Sequence, residues 1–71
     1  MKKSAQALGN KLKEKREAAG LTQAALAEKA GVSRKTINTI ENRVFTPSTL
    51  LALTLAEVLG VSVHAIFYLE N

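Results

Sequence analysis

The stretch that decides the fold is QAALAEKAGVSRKTINTIEN, residues 23–42. Gly31 stands in its middle, and only Val32 separates this glycine from Ser33. Thr22 and Ser33 are of the residue types that cap helix N-termini, and glycine is the type that most often follows a helix C-terminus. The pattern therefore predicts a helix on each side of a short turn. A turn this tight makes the two helices cross steeply, as in a helix-turn-helix.

The second of these two helices has an apolar side and a polar side when its residues are placed about 100° apart. The inner side comprises Ile37, Ile40, Glu41 and Val44. The outer side comprises Lys35 and Thr39, flanked by Thr36 and Asn38, with Arg34 at the start of the helix. The outer side offers donors, acceptors and methyl groups but no acid, which is the chemistry needed to read base edges beside phosphates.

Glycines and capping residues divide the rest of the chain in the same way, into five short helices. Alanine and leucine are abundant and aromatic residues are few, which favours an all-α fold. The predicted helices run from about Ser4 or Gly9 to Ala19, over 23–30, over 34–42, from the segment 46–48 to Leu59, and over 63–67, and they leave room for a short extended C-terminal tail. The whole chain, 1–71, is expected to be one domain, with the helix-turn-helix at 22–42.

Several classes of protein are disfavoured by what the sequence lacks. It has no Cys, no Asp and a single His, so we expect no disulfide, no metal and no cofactor. No pair of groups suits acid–base catalysis, since Glu14 and Glu17 lie beside lysines, so we expect no enzyme. No apolar run could span a membrane, and none follows Lys2 and Lys3 as an export signal would require. We therefore expect a cytoplasmic protein without an evident small-molecule ligand.

The charge of the chain is distributed unevenly. The formal net charge is +4, yet all ten Lys and Arg residues lie within residues 1–43. Residues 44–71 contain no Lys or Arg and two of the six Glu residues. This asymmetry predicts that one end of the molecule attracts a polyanion, with an ordinary solvated surface as the alternative. Lys2 and Lys3 are either a frayed tail or an arm that contacts phosphate.

The stretch 23–42 resembles the helix-turn-helix of the phage Cro and repressor proteins, which many small bacterial and archaeal regulators of the xenobiotic-response-element family share. The likeness extends from Asn10 to Phe67 and includes Leu-Thr-Gln at 21–23, Thr-Pro-Ser at 46–48 and Leu-Gly-Val-Ser at 59–62. The resemblance implies a five-helix lambda-repressor-like domain that binds double-stranded DNA. It also implies a transcriptional regulator, most simply a repressor, that is nucleoid-associated when bound.

The resemblance assigns roles to the matching residues. The residues implied to face bases are Ser33, Arg34, Lys35 and Thr39. Those implied to contact phosphate or the groove edge are Thr22, Gln23, Thr36, Asn38, Asn42 and Arg43. Arg43 replaces the glycine that is frequent in the family, and Arg34-Lys35 stands where many relatives carry glutamine. Because Arg and Lys most often contact guanine, we expect guanine in the bound sequence.

Arg16 and Glu41 interrupt faces that are otherwise apolar. Family members pair these two positions, so the resemblance implies an interior salt bridge between them. Such a pair can stabilise the fold no more than an apolar replacement of both residues would, but the loss of one partner is strongly destabilising.

The C-terminal part of the chain is more apolar than a small monomer needs, which is typical of an interface. The expected dimer-contact region, about 50–69, includes Leu50, Leu53, Val63, Ile66, Phe67 and Tyr68. A two-fold homodimer would favour a palindromic operator with half-sites one helical turn apart. Alternatively, this surface packs under the C-terminal tail.

A second class of function stays open at this stage. The chain could be a protein-interaction module, such as an antitoxin that also represses its own operon or the partner of another regulator. RNA binding is less favoured, because the outer side of the predicted helix 34–42 has no aromatic residue on which a base could stack.

Overall fold

A computed structural model describes residues 7–70 as five helices and a two-stranded sheet. In chain order these are β1 (Ala7–Asn10), α1 (Leu12–Ala18), α2 (Gln23–Ala30), α3 (Arg34–Glu41), α4 (Thr49–Leu59), α5 (Val63–Ile66) and β2 (Phe67–Glu70). The five-helix fold with a central helix-turn-helix, predicted from the sequence, is confirmed. No helix within this part of the chain is long and apolar enough to cross a membrane.

Four of the five helices begin at a hydroxyl residue that caps them. In each case the capping residue is extended, and its side-chain oxygen accepts a hydrogen bond from a backbone N–H in the first turn. These caps are Thr22, Ser33, Ser48 and Ser62. The helices α2 and α4 end at Gly31 and Gly60, which adopt the left-handed conformation that glycine tolerates best. The starts of α2 to α5 and the ends of α2 and α4 therefore follow from local chemistry.

The expected first helix, from about Ser4 or Gly9, is wrong at its start. Ser4, Lys2 and Lys3 lie outside the described residues. Residues 7–10 form a strand, not a helix, and this strand is antiparallel to β2, with Leu8 paired with Leu69. The helix begins only at Leu12, whose N–H donates to the Asn10 side chain. The pairing with β2 supplies hydrogen bonds that outweigh the helical spacing of Leu8 and Leu12. Leu8 therefore belongs to β1 and not to the first helix.

Gly9 allows the two strands to pack closely. It pairs with Tyr68, and a Cβ atom at Gly9 would overlap the Tyr68 ring. Any larger residue at position 9 would push the ring away. The sheet thus fixes the C-terminal tail against the start of the chain, next to α1.

One hydrophobic core joins all five helices. Its fully buried side chains are Leu12, Leu26, Ile37, Ile40, Leu55 and Ile66. Ala27 is also buried, on the helix that packs against α3, where a small side chain lets the two backbones approach. This core holds α3 by its inner side and leaves its outer side at the surface.

Candidate nucleic-acid interface

The outer side of α3 forms an accessible polar surface. Ser33, Arg34 and Lys35 are exposed, and Thr39 is half-buried. Thr36 and Asn38, which flank them, are also half-buried. Because Ile37 and Ile40 on the inner side are buried, α3 is held in one orientation. All four residues implied to face bases therefore lie at or near the surface of one short helix.

Gln23, the first residue of α2, connects the two helices of the motif. Its Nε2 donates to Oε1 of Glu41 at 3.0 Å. Its Oε1 accepts from Nη1 of Arg34 at 3.1 Å and from Nδ2 of Asn38 at 3.5 Å. The sequence resemblance implied a phosphate contact for Gln23 but did not suggest that this side chain orients Arg34. Arg34 and Asn38 follow Gln23 by 11 and 15 positions, so no pattern of neighbouring residues predicts these hydrogen bonds.

The expected ion pair between Arg16 and Glu41 is formed inside the domain. Nε of Arg16 lies 2.7 Å from Oε2 of Glu41, and the two side chains are 10% and 4% exposed. A second guanidinium nitrogen donates to the Leu21 carbonyl oxygen at 2.9 Å. The hydrogen bond to Glu41 raises the pKa of the Arg16 guanidinium above its ordinary value, although burial opposes this. The pair ties α1 to α3 and, through Gln23, to α2.

The loop after α3 turns back toward the helix. Arg43 has φ of 63°, a left-handed conformation that favours glycine. The next two residues, Val44 and Phe45, both donate their backbone N–H to the Thr39 carbonyl oxygen. The guanidinium of Arg43 pairs with the carboxylate of Glu70 on β2.

Val44 was expected on the inner side of α3, and this expectation is wrong. The helix ends at Glu41, before the residue that would have continued its apolar side, and Val44 is 78% exposed. The left-handed turn at Arg43 directs the chain away from the core. Asn42, the residue that follows α3, is exposed, and its side chain donates to the Asn38 carbonyl oxygen.

The residues proposed for a dimer contact divide into two groups. Leu50, Leu53 and Tyr68 are exposed, the first two by 76% and 53%, and Val63 is half-buried. Ile66 and Phe67 belong to the core of the chain itself, so their assignment to a dimer surface is corrected. They are buried because α5 leads directly into β2, which pairs with β1. Within residues 7–70 the tail leaves Leu50 and Leu53 uncovered.

Fold and surface together define a DNA-binding helix-turn-helix regulator, and the chain belongs to the Cro/C1-type helix-turn-helix family. The helix-turn-helix family model matches residues 12–66. The HTH-type transcriptional regulator MJ0272 of Methanocaldococcus jannaschii is 47% identical over 62 residues, which is 87% of this chain and 94% of that protein. The HTH-type transcriptional regulator YgzD of Bacillus subtilis is 39% identical over 62 residues, with the same two coverages.

Two solved structures share the fold. A chain in the complex of the SinR and SinI proteins aligns with a TM-score of 0.70 and 37% identity over 75% of this chain. The clp gene regulator ClgR of Corynebacterium glutamicum aligns with a TM-score of 0.71 and 31% identity over 73% of this chain. This chain spans about half the length of each, 52% and 55%. The family is one of transcriptional regulators, so the chain is not an enzyme.

Proposed function

We propose that the protein is a transcriptional repressor that binds a palindromic operator as a homodimer, with α3 of each subunit in the major groove. The outer side of α3 carries this proposal, because it presents Arg34, Lys35 and Thr39 while its inner side is anchored in the core. Occupation of the operator excludes polymerase or another regulator. The protein acts in the cytoplasm and is nucleoid-associated when bound.

Two groups of residues divide the work of recognition. Arg34 and Lys35 hydrogen-bond base edges, most simply guanine, and Ser33 and Thr39 contact neighbouring bases. The remaining contacts set affinity through the phosphates and the groove edge. They come from Thr22, Gln23, Thr36, Asn38, Asn42 and Arg43. The hydrogen bond from Arg34 to Gln23 couples the two groups at one point, because it joins a proposed base contact to a proposed phosphate contact.

The dimer forms through the apolar surface at the C-terminal part of the chain. Leu50 and Leu53 expose large side chains on α4, and Val63 and Tyr68 lie on elements at the same end of the sequence. Burial of such side chains removes apolar area from water, which is the main favourable contribution to most protein–protein association. Two-fold symmetry then gives each subunit one half-site.

Selection of bound sequences from a random duplex pool, repeated at two salt concentrations, tests the proposal. A palindrome with half-site centres about 34–36 Å apart is expected. An unsymmetrical single site would contradict the homodimer. Binding without any preferred sequence, lost at moderate salt, would leave only electrostatic attraction. Selection repeated with Lys35→Ala should give a weaker preference at one base step. Lys29→Ala is its matched control, because this exposed lysine lies in the last turn of α2 and its loss changes the net charge equally.

A protein partner is the second candidate function. The uncovered side chains of Leu50 and Leu53 favour it. The similar chain from the complex of the SinR and SinI proteins also favours it, because that structure contains two different proteins. With such a partner, the protein would act as an autoregulating antitoxin or as the partner of another regulator. Light scattering of the protein alone, and mixed with the products of adjacent genes, separates the candidates. A stable mass of two chains supports the homodimer, and a mixed complex supports the partner.

A further inference from the structure

An apolar depression lies on the outer side of α3, beside the residues assigned to base contacts. It has a volume of about 320 Å³ and is lined by Lys35, Thr36, Thr39, Val44 and Phe45. Val44 is 78% exposed and Phe45 47% exposed, so both rest at the surface without a cover in the described part of the chain. We call this depression the methyl patch. Two exposed large apolar side chains are unexpected on the surface proposed to contact DNA, so we asked which part of the DNA they could contact.

The position of the two apolar residues is fixed by the backbone. The N–H groups of Val44 and Phe45 donate to the carbonyl oxygen of Thr39 at 2.9 Å and 3.2 Å. These bonds fix the loop at the C-terminal end of α3, and the lining shared with Lys35, Thr36 and Thr39 places both residues beside the outer side of the helix. The methyl patch is therefore part of the framework that presents α3.

The threonines of the patch have their hydroxyl groups engaged locally. The Thr39 hydroxyl lies 3.0 Å from the carbonyl oxygens of both Lys35 and Thr36, which share its one proton. The Thr36 hydroxyl lies 3.0 Å from the Ser33 hydroxyl. Both threonines consequently offer their methyl groups more readily than a new hydrogen bond.

We propose that the methyl patch receives the 5-methyl group of a thymine in the major groove, so that Val44 and Phe45 determine sequence preference. This proposal rests on the proposed function, because α3 must lie in the groove. Thymine is the only base that presents a methyl group there. The patch is continuous with the outer side of α3, and its only charged lining residue is the cation Lys35. Attraction to a phosphate favours DNA over an apolar protein segment.

Deoxyuridine tests the proposal, because it removes only the methyl group of thymine. Each thymine of the selected operator is replaced in turn, and the Kd is measured by fluorescence anisotropy. We expect one thymine in each half-site at which the replacement weakens binding about fourfold, the value of one buried methyl or methylene group. Val44→Ser should abolish this ratio, and Val44→Ile should keep it. Because Val44 is largely exposed, neither variant should unfold the domain. Lys29→Ala serves as a second control with an unchanged ratio.

The outcomes separate the two proposals. A selected operator without a methyl-sensitive thymine overturns the methyl patch but leaves the proposed function intact. The same holds if the sensitivity persists unchanged in Val44→Ser, or if Val44→Ser instead weakens binding to a protein partner. Failure to select any sequence rejects the proposed function, and the methyl patch with it.

Discussion

The guanidinium of Arg43, in the loop after α3, pairs with the carboxylate of Glu70 on β2. The two residues are 27 positions apart, and both are partly exposed. An exposed pair of this kind stabilises a fold by only about 0–1 kcal/mol. Its larger consequence concerns recognition, because Arg43 is one of the residues proposed to contact phosphate. A bound phosphate must compete with the carboxylate for the same guanidinium.

Glu70→Gln should therefore strengthen DNA binding. The substitution removes the competing charge and keeps the side-chain shape, so we expect a severalfold lower Kd at low salt and little change in the thermal midpoint. Glu57→Gln is the control, since Glu57 is an exposed acid on α4 whose loss changes the net charge equally. Anisotropy titrations of both variants compare the effects. An equal gain in the two variants would show that net charge alone is responsible.

Arg43→Gly should weaken binding to all sequences alike while leaving stability nearly unchanged. Release of the left-handed backbone, worth about 1–2 kcal/mol, offsets the conformational freedom that glycine loses on folding, roughly 0.5–1 kcal/mol, and the lost pair with Glu70. Loss of one phosphate contact should reduce the slope of log K against log salt by about 0.9. A salt titration and a thermal melt measure the two effects. An unchanged slope would exclude a phosphate contact by Arg43.

Glu41→Ala should abolish DNA binding by destabilising the domain. The substitution leaves the buried guanidinium of Arg16 without its partner, at a cost of about 3–5 kcal/mol, and removes the acceptor of Gln23. Denaturant unfolding measures the loss. The double variant Arg16→Met, Glu41→Leu should recover much of the stability, because it removes both charges from the interior. Wild-type stability in Glu41→Ala would contradict the interpretation.

The helices could be predicted from the sequence because their signals are local. Both boundaries of α2 and the start of α3 are set by a capping hydroxyl or a glycine, and the faces of α3 follow from its periodicity. The accessibility of the outer side of α3 follows from the same periodicity, whereas the proposed base contacts rest on the family resemblance and stay a prediction. Predictions of this kind succeed where neighbours in the sequence are also neighbours in space.

Non-local contacts account for what the sequence analysis missed. The spacing of Leu8 and Leu12 is as good for a helix as for anything else, and only the distant strand β2 makes residues 7–10 extended. The burial of Ile66 and Phe67 likewise depends on elements far along the chain. The hydrogen bond between Gln23 and Arg34 joins α2 to α3. Periodicity within each helix does not predict how the two helices are placed relative to each other.

Lys35→Ala should relax sequence preference at one base step. The loss of a good base contact costs about 1–3 kcal/mol at that step, whereas binding to random duplex DNA should fall only as far as the lost charge requires. Lys29→Ala measures that electrostatic part separately. Selection of bound sequences with each variant gives the comparison. Identical preferences in both variants would show that Lys35 does not contact a base.

Gln23→Ala should weaken binding to every duplex and, in addition, reduce discrimination at the base that Arg34 contacts. The first effect follows from the proposed phosphate contact, and the second from the loss of the oxygen that holds Nη1 of Arg34 at 3.1 Å. Gln23→Glu keeps an acceptor for Arg34 but brings a carboxylate against Glu41, whose Oε1 lies 3.0 Å from Nε2 of Gln23. That variant should lose stability. Kd values for the operator and for random DNA separate the effects of Gln23→Ala: if both rise by the same factor, Gln23 does not position Arg34.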